Sequence, residues 1–338
     1  MKRSDQLLRI FALVGLLHLG ACAAPAGDPN DPRAPAANAV EAFTTEDGVR
    51  LPIRTFSAGP HPRAVLVALH GFNDYSRFIE EAAEYFAQAG IKTVAYDQRG
   101  FGAAPDRGKW AGTKLMVDDF LAIVHSIRRD HSDLPLFVLG VSMGGAVIAV
   151  ALAKEAGIGI DGVILVTPAI WSRDTMPWYQ RFGIWFGDRL TPAMTLGSNE
   201  FDIVPSDNAA MLAEFAKDPL VMKETRLDTL SGLTDLMDQA ILSVPKIRLR
   251  TLMLYGLRDV MIPRRPMIAL FERWPQGAAQ NFRFGLYPDG YHMLLRDLQR
   301  IAVWKDIVSW MLDPDASLPS GFERERHEVL PQLRVPAD

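Results

Sequence analysis

One serine stands in a five-residue pattern that is typical of enzyme nucleophiles. Residues 140–144 read Gly-Val-Ser-Met-Gly, which fits G-x-S-x-G, with an apolar run that predicts a strand before them and helical spacing after them. Side chains at the glycine positions would collide with neighbouring backbone, so the glycines permit a sharp turn that lifts the Ser142 hydroxyl above the sheet. The N-terminus of the following helix favours negative charge that develops there. The pattern therefore predicts that Ser142 is a catalytic nucleophile.

A serine hydroxyl is a weak nucleophile unless a base removes its proton. Two histidines follow Ser142 in the chain, His292 and His327. His292 lies in a predicted loop between the last strand and the last long helix, and loops at the carboxyl ends of parallel strands collect active-site groups. His327 lies in a charged tail and is expected to be solvated. We predict that His292 is the base, with helix capping or packing as its alternative role.

The acid that orients such a base is expected between the serine and the histidine in the chain. Asp259 follows the preceding predicted strand, and its carboxylate would hold the His292 imidazole in the useful tautomer. An N-cap of the next helix is its alternative role. Asp289 lies too close in sequence to His292 for easy geometry, and Asp235 and Asp238 fall within an insertion. We predict that Asp259 is the acid.

Backbone N–H groups are expected to hold the oxyanion of an acyl-transfer reaction. One donor should be Met143, which directly follows the nucleophile, and the second should come from the loop after the first central strand. That loop reads His70-Gly71-Phe72, in which Gly71 lets the backbone turn and Phe72 presents its N–H. His70 could act as a second base, but we interpret it as a residue that shapes this loop.

The elements that must position these residues alternate between strand and helix patterns. Apolar runs predict buried strands at 64–69, 92–96, 136–139, 163–166, 251–255 and 282–287. Such alternation predicts an α/β fold with a mostly parallel central sheet and helices on both faces. The alternation breaks at about 171–245, a stretch too long for an ordinary loop, which we interpret as a helical cap. The predicted domain covers 42–315, and the tail 316–338 is expected to be peripheral.

Five motifs along the chain resemble those of a known enzyme group. They are His70-Gly71-Phe72, Asp97-Gln-Arg-Gly-Phe-Gly102, Gly140-Val-Ser-Met-Gly-Gly145, Gly256-x-x-Asp259 and Gly290-Tyr-His292. This set resembles the monoacylglycerol lipase and lysophospholipase group of α/β-hydrolases over roughly 43–312. The resemblance implies the α/β-hydrolase fold, hydrolysis of lipid-derived esters such as monoacylglycerols or lysophospholipids, no cofactor or metal, and an oxyanion hole from Phe72 and Met143.

The resemblance also has departures and leaves other functions open. Val141 stands where the group usually has His, and Ala104 stands where it often has Ser. An aminopeptidase on the same scaffold would need acidic cap residues to hold a substrate amine, and Glu200, Asp202 and Glu214 are available. A lipoprotein that keeps the fold as a non-catalytic binding module is a further alternative. Epoxide and haloalkane hydrolysis would need Asp in place of the nucleophilic serine.

The start of the predicted cap is rich in aromatic residues. If a helix begins at Pro177, then Trp178, Phe182 and Trp185 share one of its faces, with Trp171 shortly before them. These four residues could line an acyl-chain pocket over the nucleophile. The alternative is that the rings only pack the cap onto the sheet.

The N-terminus has the pattern of an export signal. Met1-Lys2-Arg3 is basic, residues 10–17 form an apolar run shorter than the about 20 residues of a membrane-spanning helix, and Leu19-Gly-Ala-Cys22 follows. This end resembles the lipobox of bacterial lipoproteins, which implies a signal peptide at 1–21, lipidation of Cys22 and a cell-envelope location, with the outer membrane facing the periplasm favoured. A plain secretory signal is the alternative. The Pro- and Ala-rich stretch 22–41 predicts a flexible tether.

Composition excludes several other functions. The 338 residues carry a net charge of −4 with scattered positive residues, so no nucleic-acid surface is expected. The single cysteine excludes internal disulfides and cysteine-based zinc clusters. The expected partners are therefore a small-molecule or lipid ester as substrate and, through Cys22, a membrane.

Overall fold

The computed structural model describes residues 41–155, 158–197, 203–274 and 280–335. The predicted signal peptide, Cys22 and nearly all of the predicted tether lie outside the described residues. None of the helices in the described part of the chain is long and apolar enough to cross a membrane.

A nine-stranded sheet forms the centre of the molecule. Its strands are β1 (Glu41–Thr44), β2 (Arg50–Phe56), β3 (Ala64–Leu69), β4 (Ile91–Tyr96), β5 (Leu136–Val141), β6 (Gly162–Val166), β9 (Thr251–Gly256), β10 (Phe282–Tyr287) and β11 (Glu323–Arg324). They lie in the order β1-β2-β4-β3-β5-β6-β9-β10-β11. The six strands from β4 to β10 are parallel, while β1, β2 and β11 pair antiparallel at the edges. The prediction of an α/β fold with a mostly parallel sheet is confirmed.

The central strands are buried on both faces, as their continuous apolar runs predict. Alternate residues of β3 show this division: Val65 and Val67 belong to one apolar cluster, and Leu66 and Ala68 belong to another on the opposite face. Helices cover both faces. They are α1 (Glu80–Gln88), α2 (Thr113–Asp130), α3 (Met143–Lys154), α4 (Trp178–Leu190), α5 (Ala209–Lys217), α6 (Leu227–Ser243), α7 (Arg264–Arg273), α8 (Arg300–Leu312) and α9 (Arg326–Arg334).

The predicted cap region divides into two parts. Helices α4 and α5 and the small antiparallel pair β7 (Thr195–Gly197) and β8 (Glu224–Arg226) have few buried side chains. Helix α6 differs, because Leu236 and Ala240 belong to the same apolar cluster as Val147 and Ala151 of α3. The predicted boundary at about 245 is therefore too late: α6 is a flanking helix of the sheet, and the cap ends at about residue 226.

The C-terminal tail was predicted to be peripheral, and the structure corrects this expectation. Strand β11 pairs with β10 through Phe284 and Arg324. Helix α9 then buries Val329 and Leu333 completely within the core. The prediction rested on the many charges of the tail and overlooked Val329 and Leu333, which are four positions apart and so lie on one helical face. His327, on the same helix, is exposed as expected.

The segment 97–102 holds separate elements together through the side chain of Arg99. The Arg99 guanidinium donates to both carboxylate oxygens of Asp119 on α2, at 2.6 and 2.8 Å, and also binds Asp47 in the turn between β1 and β2. Hydrogen bonds to these two carboxylates raise the pKa of Arg99, so the guanidinium stays charged. This ion cluster fixes the β1–β2 hairpin against the helical layer.

Candidate active site

The turn between β5 and α3 places Ser142 in a strained conformation. Its φ is +50° and its ψ is −114°, a combination that non-glycine residues rarely adopt and that clusters at active sites. A Cβ at Gly144 would lie 2.5 Å from the Leu69 carbonyl oxygen, and one at Gly140 would collide with the amide of Gly145. The predicted sharp turn is thus present, and both glycines are required for it.

Asp259 and His292 meet on adjacent loops at the carboxyl end of the sheet. His292 Nδ1 lies 2.8 Å from Asp259 Oδ2, and the two side chains are only 8% and 0% exposed. The other carboxylate oxygen of Asp259 accepts from the N–H groups of Met261 and Ile262 at 2.8 and 2.9 Å. Because carboxylate oxygens only accept, Nδ1 of His292 carries its proton, and Nε2 is the nitrogen that can accept one.

The rival acids are engaged elsewhere. Asp289 pairs with Arg258 at 2.5 Å on the surface, where its side chain is 67% exposed. Asp235 and Asp238 both pair with Arg173, at the boundary between the cap and α6. Among the four candidates, only Asp259 contacts His292 in the described structure.

Ser142 and His292 are connected through the residues that follow β6. The Ser142 N–H donates to the Val166 carbonyl at 3.0 Å, and the Ala169 N–H donates to the Ser142 carbonyl at 2.9 Å. Thr167 lies between Val166 and Ala169 in the sequence, and its hydroxyl donates to the His292 carbonyl at 3.0 Å. Within the described residues the Ser142 hydroxyl and the imidazole are not hydrogen-bonded to each other. Such catalytic contacts often tighten only when substrate binds.

The loop after β3 lies directly against the nucleophile. A Cβ at Gly71 would be 3.4 Å from the Ser142 Cβ. Across the described residues the Phe72 N–H donates to no other backbone group, and Met143 is the first residue of α3, whose N–H has no intrahelical partner. The N–H groups of Phe72 and Met143 thus have no backbone acceptor among the described residues, and their role as oxyanion donors stays a prediction.

His70 shapes this loop and is not free to act as a base. Its Nδ1 donates to the Gly71 carbonyl at 2.7 Å, and its Nε2 accepts from the Gln98 N–H at 2.9 Å. Complete burial lowers the pKa of His70, which keeps the ring neutral. The interpretation of His70 as a structural residue is confirmed.

Sequence reasoning missed a residue that ties the histidine loop to the cap. Asp297 is fully buried; one of its oxygens accepts from Ser206 Oγ at 2.6 Å and the other from the Tyr291 N–H at 2.7 Å. The Met293 N–H also donates to the Pro205 carbonyl at 2.9 Å. These bonds join residues 205–206 of the cap to both sides of His292. A lone Asp five residues after a histidine carries no signal in a single sequence.

The aromatic residues of α4 fit neither of the two interpretations made from the sequence. Trp178, Phe182 and Trp185 are 70%, 55% and 50% exposed, so they neither line an enclosed acyl pocket nor pack the cap onto the sheet. The inward side of the helix is mixed: Ile184 packs against the core, and Asp188 accepts from Ser231 Oγ of α6 at 3.0 Å. Trp171, in contrast, is half-buried against the core, and its indole N–H has no partner among the described residues.

The acidic residues that an aminopeptidase would need are not assembled in the described part of the cap. Glu214 on α5 points to solvent with a 78% exposed side chain and pairs with Lys217. Glu200 and Asp202 lie outside the described residues.

A strained serine after the fifth strand of a mostly parallel sheet, an acid and a histidine on later loops, and two backbone donors beside the serine define a serine hydrolase of the α/β-hydrolase fold. Comparison with known proteins agrees. The family model described as serine aminopeptidase, S33, matches residues 60–299. The chain belongs to this family.

Known relatives are similar over most of the chain. The monoacylglycerol lipase of Mycolicibacterium smegmatis is 27% identical over 278 residues, which cover 80% of this chain and 95% of that protein. The monoglyceride lipase of Mus musculus is 25% identical over 281 residues, covering 81% and 91%. The solved structure of Paleococcus ferrophilus monoacylglycerol lipase superposes with a TM-score of 0.64 at 22% identity, covering 78% and 98% of the two chains.

The buried carboxyl of Asp297 predicts a pH-dependent stability. Burial raises its pKa to about 6 from an ordinary 3.8, so its contribution to stability is full below pH 3.8 and is lost as pH rises through 6. Asn mimics the protonated form. The free energy of unfolding of the parent, relative to that of Asp297→Asn, should therefore fall by about 2 kcal/mol between pH 4 and pH 7.

Urea unfolding at several pH values measures this difference, and the variant Asp133→Asn, at an exposed position, supplies the baseline. A difference between parent and Asp297→Asn that is the same at pH 4.5 and pH 7.5 would contradict the assignment.

Proposed function

We propose that this protein hydrolyses acyl esters of lipids, such as monoacylglycerols or lysophospholipids, through an acyl-enzyme intermediate on Ser142. The observation that carries the chemistry is the buried hydrogen bond between His292 Nδ1 and Asp259, which leaves Nε2 as the acceptor for the serine proton. The lipid substrate class is supported by relatives named monoacylglycerol lipase and monoglyceride lipase.

The proposed reaction has two halves. His292 Nε2 takes the proton of Ser142 Oγ as the oxygen attacks the ester carbonyl, and the N–H groups of Phe72 and Met143 hold the oxyanion. Collapse of the tetrahedral intermediate breaks the ester C–O bond, and His292 gives its proton to the leaving alcohol. His292 then takes a proton from water, whose oxygen attacks the acyl-enzyme carbonyl. Collapse of this second tetrahedral intermediate breaks the bond to Ser142 Oγ, which regains its proton from His292, and the fatty acid is released. Asp259 stabilises the imidazolium in both halves.

The proposed roles of Ser142 and Asp259 predict a large loss of activity when either residue is replaced. Ser142→Ala should remove fluorophosphonate labelling and lower kcat by at least about 10⁴-fold, since only the oxyanion donors and binding remain. Asp259→Asn should lower kcat by about 10⁴-fold because the imidazole loses its orienting partner.

Asp289→Asn is the matched control, because Asp289 lies on the neighbouring loop but pairs with Arg258 at the surface. Its kcat should stay within about twofold of the parent, as expected for an exposed ion pair. The assignment fails if Asp289→Asn is as inactive as Asp259→Asn. A parent protein that no fluorophosphonate labels would favour the non-catalytic binding module.

The family description keeps an aminopeptidase as the second candidate. A panel of p-nitrophenyl acyl esters of graded chain length and a matched panel of aminoacyl p-nitroanilides separate the two functions. We expect turnover of the esters and none of the anilides, because Glu214, the one described residue of the three acidic candidates, is exposed and pairs with Lys217. Turnover of the anilides alone would establish the aminopeptidase.

We further propose that the enzyme works at a membrane surface. The outward face of α4 carries Trp178, Tyr179, Phe182, Trp185 and Phe186, each at least 46% exposed. Aromatic side chains flanked by arginine are typical of helices that lie in the membrane interface. Arg181 and Arg189 are exposed on the same helix, with the Arg189 guanidinium 4.8 Å from the Trp185 ring centre, while the helix's only acid faces inward. These charges suit anionic head groups.

The N-terminal pattern supports a second attachment to the same surface. We propose that Cys22 carries acyl chains and that the tether lets the hydrolase domain reach the lipid. Several acyl chains on one residue hold a protein stably, whereas a single chain is marginal. The same pattern supports a location in the bacterial cell envelope, with the outer membrane facing the periplasm as the favoured site.

Removal of the aromatic face should weaken membrane binding. In a chain from Ala23 onward, Trp185→Ser with Phe186→Ser should lower the partition into phosphatidylglycerol-containing vesicles at least about tenfold, since two large rings lose their burial in lipid. Leu242→Ser is the control, because Leu242 is equally exposed but lies on α6. Turnover of a short soluble ester should be unchanged.

Vesicle sedimentation measures the partition, and equal binding by the double variant and the parent would exclude α4 as the contact.

In the full chain, Cys22→Ser should abolish incorporation of labelled palmitate. Incorporation that persists in this variant would exclude Cys22 as the acylated residue.

A further inference from the structure

Strand β6 ends at the centre of the active site. Its neighbours in the sheet are β5, which leads to Ser142, and β9, which leads to Asp259. Thr167 is the first residue after β6, and its N–H donates to the Leu254 carbonyl of β9 at 2.8 Å. Thr167 is therefore held between the strand of the nucleophile and the strand of the acid.

The residues around Thr167 hold both reacting side chains by their backbones. Val166 and Ala169 bind the N–H and the carbonyl of Ser142, at 3.0 and 2.9 Å. The Thr167 hydroxyl binds the His292 carbonyl at 3.0 Å, across 125 positions of sequence. One four-residue stretch thus sets the backbone of Ser142 against that of His292.

The conformation of Thr167 is costly for its residue type. Its φ is +43°, in the left-handed region, where a β-branched side chain is a genuine outlier. The residue is fully buried, so water offers no alternative partner for its hydroxyl. Strain of this kind persists where the surrounding structure over-determines it, and it clusters at functional sites.

We propose that Thr167 is a positioning residue that fixes where the His292 imidazole lies relative to the Ser142 hydroxyl. The proposal rests on the function proposed above, in which His292 is the base. Asp259 accepts from Nδ1 of the imidazole, and the Pro205 carbonyl accepts from the N–H of the next residue, Met293. Only the Thr167 hydroxyl holds the His292 carbonyl among the described residues. Without it, the imidazole can tilt away from the serine hydroxyl.

A positioning role affects the chemical step more than substrate binding. The Thr167 hydroxyl is hydrogen-bonded to the backbone of His292, and Thr167 forms no hydrogen bond with Phe72 or Met143 in the described structure. Misplacement of a reacting group by a fraction of an ångström lowers the rate of attack but leaves ground-state binding unchanged. The expected signature is therefore a fall in kcat with an unchanged KM.

The test compares substitutions that differ only in the hydroxyl. Thr167→Val keeps the β-branched shape and should lower kcat for a soluble p-nitrophenyl ester about tenfold, with KM within about twofold, the loss expected for one hydrogen bond in the reacting geometry. The rate of fluorophosphonate labelling of Ser142 should fall in parallel. Thr167→Ser keeps the hydroxyl and should retain activity within about threefold of the parent.

Thr251→Val is the matched control. Thr251 is also fully buried and its hydroxyl also donates to a backbone carbonyl, that of Leu249 at 2.9 Å, but at the opposite end of the sheet. Its kcat should equal that of the parent. If Thr167→Val does not fold, Thr167→Ala and Thr167→Ser provide the same comparison without β-branching.

The outcomes separate the two proposals. A parent-like kcat for folded Thr167→Val or Thr167→Ala would overturn the positioning role. A kcat of Thr167→Ser as low as that of Thr167→Val or Thr167→Ala would also overturn it. A rise in KM that accounts for the whole loss would also overturn it. Failure of the proposed function appears differently, as a parent protein that neither hydrolyses esters nor reacts with the fluorophosphonate.

Discussion

The hydrogen bond between Asp259 and His292 constrains the rest of this structure. Both side chains are almost completely buried, and the carboxylate is further held by two backbone N–H groups. A buried carboxylate is tolerated only where donors surround it, so the loops after β9 and β10 must close tightly around this pair. Backbone bonds from Leu257 to Tyr287 and from Arg258 to Gly290 make that closure. These backbone hydrogen bonds hold the loop that carries His292 in a fixed position.

Strain is concentrated at the carboxyl ends of two adjacent strands. Ser142 after β5 and Thr167 after β6 both have positive φ values, and the two turns are hydrogen-bonded to each other through Val166 and Ala169. The buried parallel strands on either side are rigid enough to sustain such conformations. The same arrangement holds the backbone of Ser142 from both sides at the carboxyl end of β5, where the residue is only 8% exposed.

Helix α4 of the cap exposes large aromatic side chains, unlike an ordinary surface helix, which buries them. Helix α4 turns Asp188 toward α6 and its aromatic rings toward solvent, and Ser206 of the cap is joined to the histidine loop through Asp297. An exposed aromatic face is costly in water and favourable at a lipid interface, which is consistent with a lipid substrate. The contacts with Asp297 connect the cap directly to the loop that carries His292.

The sequence by itself determined the sheet, the turn at Ser142 and the chain order of the three proposed catalytic residues, because these depend on local patterns: apolar runs, flanking glycines and loops that follow strands. Tertiary structure alone decided which face of α4 is buried, that α6 and the tail pack into the core, and that Thr167 and Asp297 touch the histidine loop. Periodicity shows that a helix has two faces, but the neighbours that cover one of them come from distant parts of the chain. A hydroxyl that contacts a carbonyl 125 residues away leaves no trace in local sequence.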